Sequence, residues 1–216
     1  MSNFNKLLLF VIAFSVFYFM AFEAKAHWQY YISGLVLIWV ATRKNLNLNV
    51  VAGILLLVSF FEALSDSFIT AHLIKKVPIL YSNGAVYTVA IFFSVLSVFL
   101  LKYRWEIMLR FAPFFAKDQQ AYINKTGPCV ADAPLITVYL ILIVSTILTF
   151  IEHLLMNAHE FGASKEFVQF FRSHIFFYYS FDYVNIIGRS IMVAILVGAQ
   201  IIYQHNLKNQ LRNKAA

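Results

Sequence analysis

Apolar residues in this chain do not alternate with the period of a strand; they gather into long blocks separated by short polar breaks. Six blocks stand out, at 7–22, 28–41, 48–64, 85–101, 134–156 and 183–203. A helix needs about 17–25 residues to cross the hydrocarbon core of a bilayer. Backbone inside that core must satisfy its own hydrogen bonds, which favours helices. The pattern therefore predicts an all-α, polytopic transmembrane helical bundle of about six membrane segments. The block at 28–41 is the weak member, short and hemmed by Lys25 and by Arg43-Lys44. If it does not span, it is a re-entrant or interfacial helix, and four spans plus such helices form the alternative. The first block follows Lys6 and precedes Ala24-Lys25-Ala26, as a secretory signal peptide would. Because a further apolar block begins at once at Trp28, we read it as the first membrane helix.

Composition agrees. Of 216 residues, 61% are hydrophobic and 12% charged, against about 25% charged in soluble domains. The 23 Phe and 12 Tyr suit lipid-facing surfaces with interfacial aromatic belts. A single cysteine, Cys129, excludes an intrachain disulfide and a thiolate metal cluster within one chain. The formal charge of +7 reads as topology rather than nucleic-acid binding, since basic residues collect in cytoplasmic loops. With six spans and both termini cytoplasmic, eleven Lys and Arg fall inside and five outside.

The expected organisation is one transmembrane domain over 1–216. It carries a basic amphipathic cytoplasmic segment at 102–125 and an aromatic interfacial segment at 157–181 on the outer side. In the first of these, Lys102, Arg104, Arg110 and Lys117 alternate with Trp105, Phe111, Phe114 and Phe115. That mixture suits contact with anionic lipid headgroups or a cytoplasmic protein partner.

Arg189 is the most informative residue. It lies about 10–14 Å into the last block at the rise of a helix. A charge at that depth costs at least about 2.5–3.5 kcal/mol and marks a functional candidate. Asp182, Asn185 and Arg189 share a helical stripe. Glu62, Asp66 and Glu152 are carboxylates available from other blocks, and we expect Glu62 or Glu152 to pair with Arg189. Ser190, Ala194 and Gly198 form a small-residue groove that admits close helix packing, within the chain or between copies.

Catalytic signals are missing. Glu152, His153, His159, Glu160, His174 and Asp182 offer nitrogen and oxygen donors, but the i, i+4 histidine pair of a zinc peptidase is absent. No phosphate loop, nucleophile elbow or CxxC motif occurs. We therefore expect no catalytic residues, no metal and no cofactor. The expectation is a non-enzymatic membrane subunit acting as an oligomeric channel, sensor or scaffold in a bacterial inner membrane. Small polytopic subunits of antiviral defence systems, which join a membrane sensor to a cytoplasmic effector, offer an analogy of architecture alone. The alternatives are a small proton- or cation-coupled transporter and a metal-dependent membrane hydrolase.

Overall fold

The computed structural model describes residues 27–73, 76–115 and 127–215. Every regular element among them is helical: α1 (His27–Ala41), α2 (Leu46–His72), α3 (Ile79–Lys102), α4 (Arg104–Phe115), α5 (Asp132–Met156), α6 (Lys165–Ser173) and α7 (Phe177–Ala215). A 3₁₀ turn, Ala158–Phe161, precedes α6. Four segments are long and apolar enough to cross a membrane: α2, α3, α5 and the run Lys165–Gln210. That last run breaks at 174–176, so α6 does not continue into α7. The block at 7–22 and Lys117 lie outside the described residues.

The blocks widen into longer helices because polar residues supply their ends. The Asn45 side chain accepts the Leu48 N–H at 3.3 Å and starts α2. Ser164 does the same for α6 through the Phe167 N–H. Gly162 takes a left-handed φ of 86° after the 3₁₀ turn, where a side chain would be strained. With 15 residues, α1 is about 22 Å long and falls short of a typical span.

The helices pack as a ring in the order α1, α2, α3, α5, α7, closed by contact between α7 and α1. Leu35, Leu48, Val51, Leu55, Leu135 and Leu196 fill the centre and are fully or almost fully buried. Outward faces carry Leu57, Phe60, Phe61, Leu64 and Phe68 on α2, and Ile141, Val144 and Ile151 on α5. So broad an apolar exterior suits lipid rather than water. At Gly188 α7 comes close to α5, and an added Cβ would sit 2.7 Å from Leu142 Cδ2. Gly188 therefore holds α7 against α5. Of the predicted small-residue groove, Gly198 is buried while Ser190 and Ala194 are half-buried.

Arg104 corrects the sequence reading. Expected at a headgroup or partner surface, it is 1% exposed. Its Nη2 donates to Asp132 Oδ2 and to the Gly127 carbonyl, each at 2.8 Å. Its Nε reaches Asp132 Oδ1 at 3.3 Å, and its Nη1 reaches Asn47 Oδ1 at 3.3 Å and Met108 Sδ at 3.2 Å. Asn47 Oδ1 also accepts the Gly127 N–H at 3.0 Å. One guanidinium thus ties the starts of α2, α4 and α5 to the 127–131 connection. The forked geometry suits two carboxylate oxygens at once, which an amphipathic surface pattern does not reveal. Lys102 and Arg110 remain exposed.

Removing one partner of a buried pair strands the other, at a cost of about 3–5 kcal/mol. Arg104→Ala should therefore unfold at clearly lower temperature in detergent. Lys102→Ala should change stability by less than about 0.5 kcal/mol. Matching melting temperatures for the two variants would remove the staple from the account.

Candidate functional site

The bundle end opposite Arg104 concentrates acid. Glu62 lies ten residues before the end of α2 and Arg189 twelve after the start of α7, about 15 and 18 Å along their axes. Asp66 and Asp182 sit nearer the helix ends, six residues before His72 and five after Phe177. A charge buried beneath this rim needs compensation, because little water solvates it there.

For Arg189 the compensation is mixed. The residue is 8% exposed, and its Nη2 lies 3.2 Å from Glu62 Oε1. The guanidinium carbon stands 3.6 Å from the centre of the Trp28 ring and 5.7 Å from that of Tyr31. A cation so close to an indole face gains about 2 kcal/mol when desolvated. Tyr31 is held in turn by its hydroxyl, which donates to Met192 Sδ at 3.3 Å. One donor, Arg189 Nη1, is buried without a hydrogen-bond partner among the described residues.

A cavity of about 90 Å³ adjoins this pair. Glu62, Asp66, Asp182, Asn185 and Arg189 supply its polar lining, and Trp28 is also part of its wall. Val86, Val89, Ala90 and Phe181 make the apolar side. Trp28 is also a hydrogen-bond partner of the Asp66 carboxylate. The Asn185 amide turns back to the Phe181 carbonyl at 2.9 Å and is not paired with Arg189. Formally, three carboxylates surround one guanidinium. Among the described residues only Glu62 forms an ion pair with it, and neither Asp66 nor Asp182 forms one at all.

Glu152 departs from the expected charge network. Its oxygens accept the Phe176 N–H at 2.8 Å and the Tyr178 N–H at 2.5 Å. A carboxylate on α5 thereby caps the start of α7, whose first N–H groups have no local acceptor. Beside it, His153 is 1% exposed and stacks near Tyr178, with 5.9 Å between ring centres. His159 and Glu160 are exposed and 3.5 Å apart, and His174 is exposed at the end of α6. The described residues contain no group of three or more His, Cys, Asp or Glu able to hold one metal ion.

Trp28 and Tyr31, whose rings face Arg189, escaped the sequence reading, and so did Gly188, which packs α7 on α5 outside the site. Trp28 opens the short block whose status as a span was doubtful. Its role in the site is a ring face and has no periodic signature. Gly188 was passed over for the regular small-residue triplet one turn on. No protein-family model, curated protein or solved structure matches this chain.

The Arg189–Glu62 pair should behave as a unit. Arg189→Met and Glu62→Met should each destabilise the protein by about 3–5 kcal/mol, because each strands a buried charge. The double variant should lose far less than the sum, as coupled neighbours do. Additive losses in detergent unfolding would show that the two side chains act independently.

Proposed function

We propose that this chain is a non-enzymatic membrane subunit of the sensor type, which passes the state of the acidic cavity along α7. One observation carries the reading. A single helix of 39 residues, about 58 Å long, bears Asp182, Asn185 and Arg189 near one end. At its other end residues 204–210 are exposed and polar apart from Leu207. The hydrocarbon core is about 30 Å thick, so α7 is long enough to join a buried charge site to an aqueous surface without a joint. We place the protein in a bacterial inner membrane, with both termini in the cytoplasm. The basic excess on that side supports this placement. There the end of α7, with Lys208 and its neighbours, meets a cytoplasmic protein partner. The apolar exterior serves lipid and other copies of the chain in a homo-oligomer.

The surplus of carboxylate over guanidinium favours a second reading, proton- or cation-coupled transport through Glu62, Asp66 and Asp182. Against it stands the continuity of α7. Midplane transport sites typically use broken helices whose ends hold the cargo.

Both readings meet one experiment. Burial pushes the Cys129 thiol up and slows its reaction, so a Cys129→Ser, His205→Cys protein carries an environment-sensitive dye at one place. In vesicles, Glu62→Gln and Arg189→Lys should each shift the emission of that dye relative to the parent. Proton and potassium flux should equal that of empty vesicles. An unchanged dye would overturn signal passage along α7, and flux abolished by Asp66→Asn would establish the transport reading.

A further inference from the structure

At the end of the bundle that carries Arg104, a larger cavity of about 390 Å³ opens between the turn joining α1 to α2, the connection before α5 and the later part of α7. Small-molecule sites commonly measure about 300–1,000 Å³. Neither Arg104 nor any residue of the acidic cavity lines this one.

The polar groups on its wall include uncommitted donors. Lys44 is exposed in the turn and forms no ion pair among the described residues. Asn45 gives its side-chain oxygen to the Leu48 N–H, which leaves the amide nitrogen to donate elsewhere. The Asn206 side chain is exposed and makes no hydrogen bond among the described residues. No Asp or Glu lines the cavity. Asp132, three residues past Cys129, has its oxygens on Arg104 and on the Cys129 N–H. An anion therefore finds one full positive charge and two amides here, whereas an ammonium finds no counter-charge.

The apolar wall says what the anion is attached to. Val130 and Ile202 line the same cavity and are 65% and 45% exposed. A bare hydrated anion would leave that surface uncovered, while an amphiphile covers it. The position along α7 agrees. Ile202 and Tyr203 immediately precede the exposed, largely polar run 204–210, so the cavity lies where an apolar helix gives way to a polar one. At that level of a bilayer, basic side chains meet anionic headgroups.

We propose that this cavity seats the headgroup of an anionic phospholipid. Its phosphodiester lies on Lys44 with the Asn45 and Asn206 amides, and its glycerol and upper chains lie along Val130 and Ile202. This reading stands apart from the acidic cavity and needs nothing from it. The Tyr203 hydroxyl donates to the Lys44 carbonyl at 3.2 Å, so the seat joins α7 to the turn before α2, and a lipid there fastens the far part of α7.

Cys129 lines the cavity and is the only thiol in the chain, so it reports occupancy in the unaltered protein. The full chain is placed in phosphatidylcholine vesicles, and alkylation by uncharged N-ethylmaleimide is followed as phosphatidylglycerol replaces part of the lipid. A saturable slowing is expected. Lys44→Gln should raise the phosphatidylglycerol fraction needed for half protection about fivefold, the contribution of one lysine near an anionic surface. Lys102→Gln, which alters an exposed lysine at the same end of the bundle, should leave it unchanged. Phosphatidylethanolamine should give no protection. Native mass spectrometry supplies an independent count: the parent and Lys102→Gln should retain a phosphatidylglycerol that Lys44→Gln loses. If Cys129 fails to react, that count alone decides. An equal shift from both lysine variants would reduce the effect to general surface charge and overturn the site. So would equal protection by phosphatidylethanolamine, or no protection together with no retained lipid. Protection by glycerol phosphate in pure phosphatidylcholine would make this a site for a free phosphate ester, and the lipid reading would fall.

Discussion

A guanidinium cannot shed its proton, so a helix that carries Arg189 through the apolar layer must find compensation for it inside the bundle. Trp28, Tyr31 and Glu62 supply that compensation from α1 and α2, while Arg189 itself rides on α7. The ring of helices closes through the contact between α1 and α7. Compensation of the buried charge thus adds to the packing of Tyr31, Leu35 and Ile38 in holding the short α1 against both of its neighbours. Without that charge, the contact between α1 and α7 would rest on the Tyr31–Met192 and Gln200–Ala41 hydrogen bonds and on packing such as that of Gly34 near Val193.

The two buried arginines solve the same electrostatic problem with different consequences. Arg104 places every nitrogen against an acceptor, counting the sulfur of Met108. A group so fully satisfied defines one geometry and leaves nothing over for a ligand. Arg189 has one carboxylate contact, two ring faces and a buried N–H without an acceptor among the described residues. An unsatisfied donor in a buried place costs about 1–3 kcal/mol. The two arginines thus sit at opposite ends of one bundle, Arg104 with every nitrogen satisfied and Arg189 with one left over among the described residues.

Much of the architecture was legible in the chain because lipid imposes simple rules. The apolar blocks among the described residues became helices, and an arginine inside one of them marked the cavity, since charge in that setting is expensive whatever the fold. Glu62 was identifiable as a partner because few carboxylates lie in apolar blocks. Arg104 was misread because its partners Asn47, Gly127 and Asp132 lie 57, 23 and 28 residues away. Such distances leave no periodic trace, while Trp105 and Phe111 nearby produce a convincing amphipathic pattern. The role of Glu152 was hidden for a related reason. A usable signal existed, however: Phe176, just before α7, has no side chain able to cap a helix, so an acceptor had to come from elsewhere.

The cap on α7 also limits how that helix can move. Glu152 grips the Phe176 and Tyr178 amides from a neighbouring helix, so sliding α7 along its axis would break two hydrogen bonds to a charged group. Tilting about that point keeps both. A rod pinned at one end magnifies displacement in proportion to distance from the pin. Arg189 lies about 18 Å from the start of α7 and the far end about 58 Å. Were α7 free beyond that point, a sideways shift of the guanidinium would arrive at the far end roughly three times larger, and the Gln200–Ala41 and Tyr203–Lys44 hydrogen bonds are what hold it back. The geometry is that of a lever with its fulcrum at Glu152, its short arm at the cavity and its long arm running through the bundle to the exposed polar residues 204–210.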